Sequence, residues 1–230
     1  MKHVRFDRLR SLCLVSGAAL LLLTGASCGR KAAAPAKSGP QQELEVLFRR
    51  MQASWNHIFT SDGAGEYRMA RLEFFSGEKE TPCGKISGGI HYCAENRTVS
   101  LDRGWLEGAE RPERGVRDYL LARTLARHVQ HELTIDERVE KAIANKPAEK
   151  DGVLRKREMQ TECLVGLLRH YYEEAEPSAD ALRQAMKAAP PQGREELAFP
   201  PLEDRLRWFD RGLASDEIAA CNVFAESPSR

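Results

Sequence analysis

Two predicted helices, one with a pair of arginines and the other with a pair of glutamates, constrain the fold of this chain more than any other feature. One carries Arg123 and Arg127, four residues apart, and the other carries Glu158 and Glu162 at the same spacing. Residues i and i+4 share one helix face, so each pair of charges points in one direction. The sequence therefore predicts that the two helices pack with these charges facing each other. The alternative is that all four are solvated charges that never meet, as charged side chains usually are.

The N-terminus has the pattern of an export signal. A basic stretch precedes an apolar run over residues 12–23, which is shorter than the roughly 20 residues of a membrane-spanning helix and suits a secretory signal. Small residues then lead to Cys28, which resembles a bacterial lipobox. We predict a lipoprotein-type signal peptide over residues 1–27 and lipidation of Cys28. Ordinary cleavage after Ala26 is the alternative.

The rest of the chain divides into three predicted parts. Residues 28–40 are rich in Ala and Pro and suit a tether near a membrane. Residues 41–226 are long enough for one domain with a hydrophobic core, and residues 227–230 form a polar tail. We expect an exported protein of the bacterial cell envelope, in the periplasm or at the outer membrane. A lipid on Cys28 would attach it to the membrane.

The charge balance gives no reason to expect a nucleic-acid partner. The full chain has 35 basic and 34 acidic residues, and the predicted signal removes four basic residues and one acidic residue. The 31 basic and 33 acidic residues that remain offer no basic surplus for binding phosphates.

Cysteine usage predicts two disulfides. Four cysteines remain once the signal and Cys28 are set aside, and they are Cys83, Cys93, Cys163 and Cys221. An even number of cysteines in an oxidising compartment favours disulfide bonds. The short spacing of the first two favours pairing them with each other, which leaves the last two as a second pair. A zinc site of four cysteines is the alternative, although the spacing lacks a C-x2-C element.

Hydrophobic periodicity predicts an α+β fold, mostly helical with a small antiparallel sheet. Helical patterns cover residues 41–59, 113–134, 137–145, 153–174, 180–189 and 201–211. Strand patterns cover residues 71–75, 91–93 and 98–101, and the last two are typical of a hairpin. Gly212 is placed like the glycine that ends a helix.

Five segments of the chain carry motif-like sequences in a fixed order. Residues 81–84 with 90–93 read T-P-C-G and I-H-Y-C, and residues 98–102 read T-V-S-L-D. Residues 157–166 read R-E-M-Q-T-E-C-L-V-G, residues 207–213 read R-W-F-D-R-G-L, and residues 221–224 read C-N-V-F. In this order they resemble T-x-C-G with G-P-F-Y-C-P, an edge strand ending in L-D, E-L-Q-A-D-C-x-A-G, W-F-x-x-G and C-[DN]-T-F of the neutral zinc metallopeptidase family of bacteria. The resemblance implies a zincin-like fold and the same two cysteine pairs.

The chain departs from this family where zinc would bind. The family's central helix reads A-H-E-Y-G-H-H-V-Q, and by this resemblance Arg123 and Arg127 stand at its two zinc-binding histidines. Thr124 stands at the glutamate that acts as general base. A guanidinium group has no lone pair for a metal, and a threonine hydroxyl is no base near neutral pH. The resemblance also implies that Glu158 holds the place of the third ligand. Glu162 would then replace the acid that orients a ligand histidine.

These substitutions suggest that ion pairs occupy the former metal cavity. We expect guanidinium–carboxylate pairs, bidentate in geometry, between the two arginines and the two glutamates. A metal site shifted along the helix to His128, His131 and Glu132 is the competing hypothesis. It matches neither H-E-x-x-H nor H-x-x-E-H spacing.

The sequence therefore predicts a catalytically inactive relative of a zinc metallopeptidase, without a cofactor. It would be a binding or scaffold module that contacts an envelope protein or peptide, or that fills space in an envelope complex. The strand of Thr98, Val99, Ser100, Leu101 and Asp102 is the predicted peptide-binding edge, because an edge strand can accept a further strand. The alternative is an active zinc metallopeptidase that hydrolyses peptides with an atypical metal site.

Overall fold

Helices make up most of the residues that the computed structural model describes, which are residues 39–171, 177–189 and 199–225. The helices are α1 (Gly39–Ser61), α2 (Arg103–Glu107), α3 (Arg114–Glu132), α4 (Ile135–Asn145), α5 (Lys150–His170), α6 (Ala179–Ala188) and α7 (Leu202–Leu213). The strands are β1 (Arg71–Phe75), β2 (Glu78–Thr81), β3 (Gly84–Ser87), β4 (Ile90–Cys93) and β5 (Thr98–Asp102). The predicted α+β class, mostly helical with little sheet, is confirmed.

Several predictions for the chain ends fall outside this part of the chain. The predicted signal peptide, Cys28 and the tail over residues 227–230 lie outside the described residues. Helix α1 begins at Gly39, two residues before the predicted start of the domain. No helix among the described residues is both long enough and apolar enough to cross a membrane.

Strand β5 lies in the centre of a three-stranded sheet of order β1-β5-β4, which corrects the prediction that residues 98–102 form an edge. It pairs in antiparallel fashion with β4, as the hairpin pattern predicted, and in parallel fashion with β1. The sheet is therefore mixed. All five residues of β5 are buried, and both of its backbone edges are paired, so no peptide can add to it.

Both predicted disulfides are present. Cys83, in the turn of the separate β2–β3 hairpin, is bonded to Cys93 on β4. Cys163 on α5 is bonded to Cys221, which ends a short 3-10 helix near the C-terminus. The first bond links a peripheral hairpin to the sheet, and the second links the C-terminal segment to a core helix.

Helix α3 runs through the middle of the core. Thirteen of its 19 residues are buried, which is more than one apolar face can supply. Leu121 and Leu125 are fully covered by neighbouring elements, and so are the side chains of Tyr119 and His128. Buried polar groups on such a helix need partners, because an unpaired one costs about 1–3 kcal/mol. This requirement explains the polar network around α3.

Helices α5 and α7 pack backbone against backbone at two glycines. A Cβ atom on Gly166 would lie 2.0 Å from the carbonyl oxygen of Phe209, and one on Gly212 would lie 1.9 Å from that of Cys163. Gly212 therefore lies inside α7 and permits a helix crossing, and the prediction that it ends the helix is wrong. This close crossing places α7 beside the acidic residues of α5.

Candidate functional site

The predicted meeting of charges between α3 and α5 is confirmed. Arg123 donates a hydrogen bond to Glu158, and its Nε lies 3.3 Å from Oε1 of Glu162. The second contact has an ion-pair distance without hydrogen-bond geometry, since Nε of Arg123 makes no hydrogen bond. Each of these nitrogens thus contacts a different carboxylate, so the expected bidentate geometry is wrong for Arg123. The three side chains are 10%, 8% and 0% exposed, respectively, so the cluster lies in the interior.

Glu162 has further partners that the sequence did not reveal. Arg205 of α7 donates from Nε to Glu162 at 2.9 Å, and Tyr119 of α3 donates to both carboxylate oxygens at 2.8 and 2.9 Å. Arg205 also donates to the Tyr119 hydroxyl at 2.6 Å. Tyr119 lies four residues before Arg123, on the same face of α3, so the helix periodicity could have identified it. Arg205 carries no comparable signal.

An aromatic ring covers the buried arginines. The guanidinium carbon of Arg205 lies 4.4 Å from the ring centroid of Phe199, and that of Arg123 lies 5.1 Å from it. Both are within cation–π range, an interaction of about 0.5–2 kcal/mol. The Phe199 ring covers the two guanidinium groups on one side and so limits their contact with water, which would weaken the ion pairs.

The electrostatics of the cluster favour permanently charged arginines. Burial acts to lower the pKa of Arg123, but Glu162, the Tyr119 oxygen and Glu158 outweigh it, so the pKa is raised above the ordinary arginine value. Burial raises the pKa of Tyr119, and the charge of Glu162 adds to this effect. Tyr119 is therefore a neutral hydrogen-bond donor, and Arg123 keeps its positive charge over the whole physiological pH range.

Arg127 forms the outer rim of the cluster. Its side chain is 27% exposed, and one guanidinium nitrogen lies 3.4 Å from Oε1 of Glu158. It also donates to Gln130 at 3.1 Å. The amide nitrogen of Gln130 in turn donates to the carbonyl of Arg157 and to Gln160, each at 3.0 Å. This network ties α3 to α5 beside the ion pairs.

Thr124, at the position of the family's general base, is turned back onto its own helix. Its hydroxyl donates to the carbonyl oxygen of Leu120 at 2.7 Å. The residue is only 8% exposed. Its hydroxyl proton is thus committed to the backbone, as is common for threonine inside a helix.

His128 is a neutral structural residue. Its Nε2 must donate to the carbonyl oxygen of Arg68 at 2.8 Å, because a carbonyl only accepts hydrogen bonds. Nδ1 is then left to accept from the Tyr92 hydroxyl at 2.9 Å. Burial lowers the pKa of His128 to about 4. Both ring nitrogens are occupied, so His128 has none to offer a metal.

The other two members of the proposed shifted site have different partners. Each carboxylate oxygen of Glu132 accepts from an arginine, Arg68 at 2.8 Å and Arg97 at 2.7 Å. His131 lies 4.0 Å from Asp136. Within residues 39–171, 177–189 and 199–225, no cluster of three or more His, Cys, Asp or Glu residues could hold a metal ion. The hypothesis of a metal at His128, His131 and Glu132 therefore gains no support from this part of the chain.

The surface also has a recess that contains none of the ion-paired residues Arg123, Glu158 and Glu162 in its lining. It has a volume of about 920 Å³ and lies between α4, the start of α5 and the C-terminal segment. Most of its lining is apolar, with Leu133, Ile135, Val153 and Ile218 among the wall residues. None of the four predicted site charges is among its lining residues.

The segments that resemble family motifs are part of a match over most of the chain. A family model described as "Putative neutral zinc metallopeptidase" matches residues 23–224, and the chain belongs to this family. The chain is 26% identical over 203 residues to the uncharacterized protein YpfJ of Escherichia coli (strain K12). This match covers 79% of this chain and 70% of YpfJ. The same values hold for YpfJ of Escherichia coli O6:H1 (strain CFT073). No solved structure matches the chain, so the zincin-like character of the fold stays a prediction.

Proposed function

We propose that this protein is a zinc-independent member of its family, which binds an envelope partner and does not cleave peptides. The observation that carries the proposal is the buried contact of Arg123 with Glu158 and Glu162. In the family motif, zinc ligands belong at the positions of Arg123, Arg127 and Glu158. Here one carboxylate and two cations occupy them.

The residues at this place do not fit a zinc ion. Zinc needs lone-pair donors, usually three from the protein at a catalytic site, and a guanidinium group has none. A dication about 4 Å from one guanidinium is repelled by about 8 kcal/mol at an effective dielectric constant of about 20. The two arginines instead supply about the same positive charge as the metal. The carboxylates are thus neutralised without it.

The cluster also lacks the other part of a hydrolytic site. Peptide hydrolysis by zincins requires a carboxylate beside the metal to take a proton from water. Thr124 stands at that position, and its hydroxyl is bonded to the backbone of α3. Loss of the ligands and of the base supports a role in binding.

Strand β4 is the surface that we assign to an extended peptide. Asp102 donates its backbone N–H to Gly89, so by the alternation of antiparallel pairs Ile90 and Tyr92 direct their backbone groups away from β5. Among the described residues, no further strand pairs with that side of β4. A peptide segment of an envelope protein could add there through main-chain hydrogen bonds.

The N-terminal pattern supports a place of action in the cell envelope. A basic stretch, a short apolar run and Cys28 support export and a lipid anchor in the membrane of the cell envelope. A protein held in this way would present β4 to neighbouring envelope proteins. Palmitate labelling of the wild type and of a Cys28→Ala variant tests the anchor, and equal labelling of the two would contradict it.

Two assays on the purified mature protein test whether it has lost peptidase activity and zinc binding. We expect no hydrolysis of casein or of short peptide substrates, and elemental analysis should find no zinc in stoichiometric amount. Glu158→Gln serves as the matched variant, because it would abolish any zinc-dependent activity. Peptide hydrolysis by the wild type that this variant loses would contradict the proposal.

Photo-crosslinking in cells tests the peptide surface. A photoreactive residue at Glu95, which is exposed and follows β4, should form adducts with a discrete envelope partner. The same residue at Glu140, exposed on α4, is the control and should not form them. Identical adducts from both positions, or none from Glu95, would argue against binding at β4.

A further inference from the structure

The β2–β3 hairpin joins the body of the protein through glycine connections. Gly77 precedes β2 with φ of 73°, and Gly88 and Gly89 follow β3 with φ of 60° and 63°. No atom lies within 4 Å of the Cβ position of any of the three. Glycine adopts these conformations at little cost, and the hydrogen bond that His91 donates to Gly88 would have to break for the hairpin to move. Both ends of the hairpin are therefore suited to act as hinges.

Polar contacts attach this hairpin to the outer face of the sheet. Lys79 forms an ion pair with Glu73 on β1, and Nε2 of His91 on β4 donates to the carbonyl of Gly88. Glu73, Ser100 and His91 are neighbours across the three strands. Among the described residues, no member of the hairpin belongs to the hydrophobic core. The hairpin thus covers a polar face and adds little apolar burial.

One covalent bond outside the hinges holds the hairpin down. Cys83 in its turn is exposed, whereas Cys93 on β4 is only 5% exposed. The other disulfide differs, because Cys163 and Cys221 are 0% and 1% exposed. A thiolate in solution can therefore reach the exposed residue Cys83, whereas both residues of the second bond are covered.

We propose that the Cys83–Cys93 disulfide is a site of thiol–disulfide exchange, and that its reduction releases the β2–β3 hairpin from an otherwise folded domain. The co-reactant is a dithiol, either a small molecule or a protein. One of its thiolates attacks the sulfur of Cys83, forms a mixed disulfide and displaces Cys93 as a thiolate, which takes up a proton. The second thiol of the reductant then attacks the mixed disulfide and leaves Cys83 as a thiol. The dithiol is oxidised by two electrons, and the protein disulfide is reduced by two.

Release would change the surface of the sheet. Ser100 is 2% exposed although it lies in the row of Glu73 and His91, which the hairpin contacts. Opening at the hinges would expose this polar row to solvent. Because the row is polar, its exposure costs little hydrophobic free energy. The core around α3 and the bond between Cys163 and Cys221 would remain intact.

Stepwise reduction of the mature protein tests this proposal. The protein is incubated with increasing dithiothreitol without denaturant, alkylated with iodoacetamide and digested for mass spectrometry. We expect Cys83 and Cys93 to be alkylated at least tenfold faster than Cys163 and Cys221. Hydrogen exchange of the same samples should show loss of protection in residues 78–87, while α3 and α5 keep theirs.

A Cys83→Ser/Cys93→Ser variant gives a second measurement that needs no reductant. It should unfold cooperatively and show the same local loss of protection in residues 78–87. Failure of this variant to fold would overturn the proposal, and so would alkylation of all four cysteines at one rate. Full protection of the hairpin after selective reduction would also overturn it, since the disulfide would then not hold the hairpin in place.

Discussion

A double-mutant cycle between Arg123 and Glu158 examines the buried cluster most closely. Glu158→Gln keeps the shape of the side chain but removes the charge that faces Arg123 and Arg127. The Arg123 and Glu158 side chains are only 10% and 8% exposed, so the remaining cation is left in the interior. Breaking such a buried pair costs on the order of 3–5 kcal/mol. We expect that loss in the free energy of unfolding for Glu158→Gln, and a similar one for Arg123→Met.

The coupling energy, which is the difference between the loss in the double variant and the sum of the two single losses, reports whether Arg123 and Glu158 interact directly. Once Arg123 is gone, loss of the Glu158 charge should cost less, so the double variant should be more stable than the sum of the single losses predicts. We expect a coupling of about 2 kcal/mol, within the range of residues that share a network. For Arg127, which is 27% exposed and 3.4 Å from Glu158, the coupling should be below about 1 kcal/mol.

Urea unfolding followed by far-ultraviolet circular dichroism provides the free energies. The slope of the free energy against urea concentration should stay the same among the variants, so that midpoints report stability. Glu140→Gln, at an exposed position on α4, is the control and should change stability by less than about 0.5 kcal/mol. Additive losses for Arg123 and Glu158, within about 0.5 kcal/mol, would refute the buried pair.

Further predictions concern the helix crossing at Gly212, the titration of His128 and the restoration of the zinc motif. Gly212→Ala should destabilise the fold by about 3 kcal/mol in urea unfolding, the upper end of the range for overpacking, because the new Cβ would lie 1.9 Å from a backbone oxygen of α5. The unfolded chain should take up a proton at His128 near its ordinary pKa of 6.5, before the folded protein does so near 4. Stability present above pH 6.5 should therefore fall by about 3 kcal/mol as the pH drops to 4. A triple variant, Arg123→His with Thr124→Glu and Arg127→His, should gain zinc affinity in a calorimetric titration, because these changes restore the ligands and the base.

Each of these three predictions has its own control. Gly152→Ala, at an exposed helical position with open space around it, should stabilise the protein by about 0.5–1 kcal/mol. Equal effects of the two glycine changes would contradict the close helix crossing. His128→Gln should flatten the dependence of stability on pH between 6.5 and 4, and an unchanged slope would refute the assignment. No zinc binding by a folded triple variant would show that these positions do not face one another as a metal site requires.

Helix periodicity predicted the contact between the arginines of α3 and the glutamates of α5. Arg123 and Arg127 share one face of α3, and that face was expected to pack against another helix. The same periodicity extends to Tyr119, which was missed although it lies on that face. Arg205 could not be found in this way, since its place depends on the crossing of α5 and α7. That crossing depends in turn on Gly212, whose position near the end of a helix is equally typical of a helix stop.

The sheet was predicted less well than the helices. Alternation identifies a strand and a nearby hairpin partner, as it did for β4 and β5, but it does not reveal a distant parallel partner. Strand β1 pairs with β5 across more than 20 residues of intervening chain, and this pairing turns the predicted edge into the centre. The buried character of all five β5 residues was visible only in the structure.

Zinc retention by the wild-type protein tests the central claim most directly. The purified protein is equilibrated with excess zinc, desalted, and measured for metal by mass spectrometry, beside the Glu158→Gln variant. If guanidinium groups occupy the metal position, both proteins should retain the same trace of zinc, well below one ion per chain. One zinc ion per wild-type chain, absent from the Glu158→Gln variant, would contradict the proposed loss of zinc binding. It would favour the alternative of an active zinc metallopeptidase.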